Sequence, residues 1–300
     1  MALPVGICGL CGQRKELIES HIIPRTIVQW VKDTSATGYL RSAKTPNRRM
    51  QDGVKKHLLC AACDNGLLNP SEKDFMENVF RPYHADKTAV LSYGPKLHFF
   101  AASLAFRVML LEESRPQEER RKEVPVSDFQ KPLAYLRRYL RGFTLKPDGL
   151  EHYVTLADNV DDMLWVTETE EEFVLEHGLP GRMGFDLMRG LDAFALNLAG
   201  HLITFVQVPG FLFATVIKPR KYRGTLGTRL RAAGGALEFD AGDLLSSDLL
   251  QVVMGRSRQL DGITMSEQQA RKLEEALKGN PERWKNSETA RLAPFLRRPR

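Results

Sequence analysis

The chain has 300 residues and a mass of 33.9 kDa, enough for a sizeable core in one large domain or two ordinary ones. Hydrophobic residues at 43%, charged residues at 27%, 23 glycines and 16 prolines exclude a collagen-like or wholly disordered chain. The formal net charge of +6 permits an anionic partner without demanding one. Charge is uneven: residues 151–216 hold 2 basic and 11 acidic side chains, so a polyanion would meet the chain elsewhere. The opening MALPVGICGLC has no basic start and only a short apolar run. No export signal is therefore expected, and the expected location is cytoplasmic.

Four cysteines form two pairs, CGLC at Cys8 and Cys11 and CAAC at Cys60 and Cys63. This spacing suits one tetrahedral Zn²⁺ site, because each knuckle turn presents two thiolates together. Disulfides would need an oxidising compartment, and a redox pair would not ordinarily come twice with no cysteine after it. Between the pairs, residues 17–23 predict a strand, and Pro24 starts a short helix over 25–32. From Arg41 to His57 there are six basic residues, Arg41, Lys44, Arg48, Arg49, Lys55 and Lys56, against one acid, Asp52. Asp52-Gly53 signals a turn with a strand on either side. Residues 60–68 predict a helix, and Asn69-Pro70-Ser71-Glu72 reads as the capped start of another.

The order CxxC, a strand ending in Ser20-His21-Ile22-Ile23-Pro24, then Leu-Leu-Cys-x-x-Cys opening a helix, resembles the HNH endonuclease family. More broadly it is similar to treble-clef zinc domains of the ββα-metal type, over residues 8–66 only. The resemblance implies metal-dependent hydrolysis of a phosphodiester, with DNA preferred over RNA. It makes His21 the general base and Asp64, after Cys63, a ligand of a catalytic Mg²⁺ or Mn²⁺, with Asp52 a second ligand. It leaves the cysteines as structural zinc ligands. Arg41, Arg48, Arg49, Lys55 and Lys56 would then hold phosphates, and Gln51 would reach a base edge. Three positions depart from the family: Ser20 stands where it has Asp or His, Asp64 stands where it has His, and no asparagine falls near Lys55. The alternative reading is a catalytically inactive, zinc-stabilised nucleic-acid-binding or protein-interaction module.

Beyond residue 90 the sequence speaks of architecture. Residues 96–113 predict a buried helix, with His98 a cap or packing residue. Residues 113–125 read as a charged linker. Ser127 would cap a helix over 128–142 ending at Gly142, its arginines matched to the helix dipole. Residues 151–176 suggest a small β element, and 187–200 a helix stopped by Gly200. Between Asp192 and Lys218 no charged residue occurs, a gap long enough for a bilayer span, yet Pro209-Gly210 divides it. Two buried strands, 201–208 and 211–217, are expected, with no membrane partner. Residues 231–239 lead into a short strand. Thr264 and Glu267 mark a capping box before a helix over 265–278.

The expected fold is α+β. An HNH-like treble-clef domain occupies 1–90, a helical segment 91–150, and a larger mixed α/β domain 151–300. That last part is the candidate surface for a protein partner, and nucleic acid is the expected partner of the first.

Overall fold

The computed structural model describes residues 3–86, 90–145, 150–156, 187–219, 221–237, 248–260 and 262–296. The acidic stretch 157–176 and the final arginines lie outside the described residues. The chain is a mixed α+β protein. In the first third, β1 (Val5–Ile7) pairs with β2 (Arg14–Glu16) around the first cysteine knuckle. Strand β3 (Ile18–His21) leads through Pro24 into α1 (Arg25–Asp33), as the Ile-Ile-Pro signal predicts. Then come β4 (Leu40–Ser42), β5 (Thr45–Met50) and β6 (Lys55–Leu59). Asp52-Gly53 turns the chain between β5 and β6, but these two do not pair. Strand β5 pairs back on β4, and β6 crosses to β3.

The second CxxC opens a helical run that does not stop at Asn69. A π-helical stretch, Ala62–Leu68, continues into α2 (Asn69–Phe75), a second, Met76–Phe80, and α3 (Arg81–Ala85). The expected new start at Asn69 is therefore corrected: Asn69 is itself helical, with φ −55° and ψ −35°, and its N–H reaches the Asp64 carbonyl five residues back. Pro70 and Pro82 explain the widening. A proline has no N–H and its ring crowds the carbonyl one turn before it, and a π turn makes room.

After β7 (Leu91–Tyr93), α4 (Pro95–Glu113) is buried almost throughout, and α5 (Gln130–Leu140) packs beside it. Gly142 ends the latter at φ +79°. No side chain caps α5 or the turn before it, so Ser127 does not act as expected.

The sheet behind α4 has the order β12-β8-β11-β10-β9, all antiparallel. Its strands are β8 (Glu151–Leu156), β9 (Asp192–Leu198), β10 (His201–Val208), β11 (Phe211–Lys218) and β12 (Thr228–Arg229). Side chains alternate along β11: Phe211, Phe213 and Ile217 join the core around α4, while Leu212, Ala214 and Val216 face the other side. That other face is covered by α6 (Asp248–Arg258), through Leu249, Val252 and Val253. A strand buried on both faces has no place for a charge, and this accounts for the uncharged stretch. No described helix is long and apolar enough to cross a membrane.

Residues 187–200 are corrected from helix to strand over most of their length. Only 187–189 are helical, and β9 begins at Asp192. Phe194, Leu196 and Leu198 share one face and Ala193 and Ala195 the other, a period of two hidden by helix-favouring Ala and Leu. Strand β13 (Gly235–Leu237) pairs with β7.

Three helices close the described chain: α7 (Glu267–Lys278), α8 (Pro281–Lys285) and α9 (Glu288–Leu296). The cap of α7 is Ser266, not Thr264, and its side chain accepts from the Gln269 N–H. One buried cluster holds Cys8, Leu59 and Phe80 together with Phe106, Leu136 and Phe213, so the apolar core is continuous across residues 90 and 150.

Two imidazoles lie inside this core. His98 on α4 is hydrogen-bonded to the Tyr139 hydroxyl on α5 at 3.0 Å, and His152 on β8 to Thr215 on β11 at 2.7 Å. The rings meet edge to face at 4.9 Å. Burial holds His98 down to about 4 and, with His98 beside it, His152 well below the ordinary histidine value, and it lifts Tyr139 to about 12. Both histidines are thus neutral in the fold, whereas the unfolded chain takes up protons near pH 6.5. Stability is full above that pH and falls as pH drops from 6.5 toward 4, with His98 alone contributing a loss of about 3 kcal/mol at pH 4. Urea denaturation at pH 7.5 and pH 4.5 should show this. A fall no smaller in His98→Gln than in the wild type would contradict it.

Candidate metal centre and basic hairpin

The four cysteine sulfurs all lie within 4.8 Å of one another. Local structure brings them there. In the first knuckle the Gly12 N–H returns to the Cys8 carbonyl, with Gly12 at φ +72°. In the second, Cys63 and Asp64 N–H groups turn onto the Cys60 carbonyl as the helical run begins. The knuckles are joined by the Gly9 N–H on the Leu58 carbonyl and the Cys60 N–H on the Cys8 sulfur at 3.3 Å. Cys8, Cys60 and Cys63 are buried, and Cys11 is half-buried.

Burial resists charge on Cys8, yet N–H groups of Cys11, Cys60 and Leu10 bring its thiol down to about 7. Burial and the sulfurs around it push Cys63 the other way. A divalent cation removes that conflict by taking all four as thiolates. Four clustered sulfur donors fit Zn²⁺ in a closed tetrahedral site. This is a structural Zn²⁺-binding site of four cysteines, and the distant parts of the chain support it. Arg137 on α5 donates to the Gly9 carbonyl at 2.7 Å, and Leu110 on α4 packs where Gly9 lacks a side chain.

The hydrolytic reading is overturned at this site. Among the described residues the four cysteines are the only group of three or more Cys, His, Asp or Glu side chains that converges for a metal. It is a structural tetrad, not a histidine-based catalytic centre, and His21, Asp52 and Asp64 form no such group. The nuclease activity expected from the resemblance is corrected accordingly, and among the described residues no second group converges for the Mg²⁺ or Mn²⁺ it implied.

Each of those three residues has other partners. His21 is bonded to Asp52 at 2.9 Å, and Asp52 also accepts from the Gly53 N–H, the turn role its sequence suggests. Burial works against the Asp52 charge, but His21 and Gly53 hold its carboxyl below the ordinary value. Asp64 is bound by Arg107 of α4 at 3.0 Å, and the same guanidinium holds Glu72. Glu72 therefore serves a buried ion pair and not the capping box. Ser20 is fully buried.

The basic residues divide into committed and uncommitted groups. Lys55 is paired with Glu19 at 2.5 Å and lies 3.6 Å from Asp52. The Gln51 carbonyl accepts from Lys32. Arg41 and Arg49 stand directly opposite each other on β4 and β5. Both lie over the Tyr39 ring, at 5.2 Å and 4.3 Å from its centroid, and Arg41 donates to the Pro46 carbonyl. Lys44, Arg48 and Lys56 are exposed and make no ion pair among the described residues. Sequence reasoning missed Tyr39, although one aromatic ring just ahead of a basic run is a signal that was there to read.

No family model matches this chain, no curated protein is similar to it, and no solved structure matches its fold.

Proposed function

We propose that this chain is a zinc-stabilised treble-clef module that binds duplex DNA through the β4–β5 hairpin without cleaving it. The observation that carries the reading is the opposed pair Arg41 and Arg49. Like charges directly across a strand pair destabilise it. Here Tyr39 offsets part of that cost by accepting both guanidinium groups on its ring. A phosphate backbone would offset the rest, and Lys44 and Arg48 lie exposed on the same hairpin to extend the contact. A two-stranded ribbon fits the major groove of B-form DNA, whereas the groove of A-form RNA is too narrow. Phosphate contacts of this kind place a protein on DNA without reading its sequence. Leu40 of β4 packs against the main apolar core, which joins the hairpin to the zinc-stabilised part of the chain.

Fluorescence anisotropy with a random-sequence DNA duplex and the matching RNA duplex tests this. Binding should favour DNA and weaken steeply with salt. Arg48→Gln should lower the slope of log K against log salt by about 1, with little change in the preference for DNA. Absence of DNA binding by the zinc-loaded protein at 50 mM salt would sink the reading.

A further inference from the structure

Among the described residues, the β4–β5 hairpin is a sheet of two strands that pair only with each other. Such a ribbon is marginal in water unless something holds it. Leu40 of β4 rests on the main core, and the last three helices add anchors on the segment before the hairpin and on its second strand. Arg283 on α8 donates from Nε to the Ser35 carbonyl at 3.0 Å and from Nη2 to the Lys32 carbonyl at 3.1 Å. Its guanidinium lies against Gly38, at φ +75°, where an added Cβ would come within 3.0 Å of it. The Glu288 N–H of α9 donates to the Thr34 carbonyl at 2.9 Å, and the Ala36 N–H to the Thr289 hydroxyl at 3.3 Å. Beyond β4, the Ser266 N–H at the start of α7 donates to the Asn47 side-chain oxygen on β5 at 2.8 Å.

We propose that the C-terminal arm α7–α9 is the clasp that orients the basic hairpin for DNA, and that Arg283 is its principal positioning residue. The inference rests on the DNA-binding reading above, because it assigns the arm's purpose to that surface. Arg283 acts through two backbone carbonyls and needs no contact with a phosphate. A planar fork can serve both carbonyls at once, and a lysine ammonium cannot hold the same geometry. Binding and clasping are coupled, so DNA on the hairpin must also steady the arm.

The experiment compares wild type, Arg283→Gln and Arg283→Lys as full-length, zinc-loaded proteins. Affinity for the DNA duplex is read across a salt series, and amide hydrogen exchange is followed over residues 34–50 and 281–291. Both variants should lose about tenfold in affinity with the salt slope unchanged, and exchange over 34–50 should quicken by about tenfold or more. DNA should slow exchange over 281–291 in the wild type. A lysine variant that binds like wild type would overturn the proposal, because charge alone would then suffice. Tighter binding by Arg283→Gln would overturn it too, making the arm a cover over the hairpin. Unchanged exchange over 34–50 would show that the arm does not hold the hairpin, and this readout stands even if no form of the protein binds DNA. Should Arg283→Gln fail to fold, Asn47→Ser removes the other anchor and is judged by the same two measurements.

Discussion

A chelator strong enough to strip zinc is expected to unfold the first third of the chain, and Cys60→Ser to prevent its folding. Metal analysis should find one zinc per chain in the wild type and none in the variant. In small zinc modules the site supplies about 10–16 kcal/mol of apparent folding energy. The magnitude here is expected to be of that order for the local unit, because three of the sulfurs belong to the main apolar cluster with Leu10, Leu59 and Leu68. Without the metal, the knuckles and two-stranded ribbons lose the link between them and keep only their share of the apolar cluster. Hydrogen exchange over residues 5–22 and 55–68 would report the loss, while the β8–β11 sheet should hold out longer. Cys11 is the least buried of the four sulfurs and the natural point of entry for the chelator. Equal protection of both regions in zinc-loaded and stripped protein would contradict this.

The second large effect is expected at Arg107. Its side chain is only 3% exposed, and it holds Asp64 and Glu72 between the helical run and α4. Replacement by methionine strands two carboxylates in a buried site. Breaking a buried pair in this way costs about 3–5 kcal/mol. Much of that penalty belongs to the orphaned charges and not to the lost attraction. The triple variant Arg107→Met, Asp64→Asn, Glu72→Gln should therefore be more stable than Arg107→Met alone. Urea denaturation of wild type, single and triple variants measures both claims. A single variant within about 1 kcal/mol of wild type would show that water reaches the carboxylates freely.

The zinc ligands were legible in the sequence because metal coordination imposes a spacing that few other constraints reproduce. Strands β10 and β11 were legible for a related reason: buried on both faces, they exclude charge up to Lys218. Helix α4 was legible from its long apolar run, which the buried Arg107 interrupts. What stayed hidden depends on partners far away in the chain. Glu72 fits a capping box as well as it fits a buried ion pair, and only the approach of Arg107, 35 residues later, separates the two. Asp64 looked like a metal ligand until the same arginine claimed it. Strand β9 was hidden because Ala and Leu favour helices, while its hydrogen bonds to β10 override that preference. The docking of the last three helices left little trace at its receiving end, since the carbonyls of Lys32, Thr34 and Ser35 belong to the backbone and only Asn47 accepts through a side chain. For the hairpin, counting arginines found the charge, but only the register of β4 on β5 set two of them face to face.

The bond from Arg137 to the Gly9 carbonyl spans 128 residues. During synthesis the cysteines are complete once Cys63 has been made, long before α4 and α5 exist to roof the first knuckle. Leu110 and Arg137 are made later and close over the first knuckle. Zinc arriving before them would meet an open cradle on the nascent chain and would become hard to remove once the middle of the protein folds over it. A chain cut short before α4 would keep every ligand and still surrender its metal readily, so tight retention of zinc is the mark of a finished molecule.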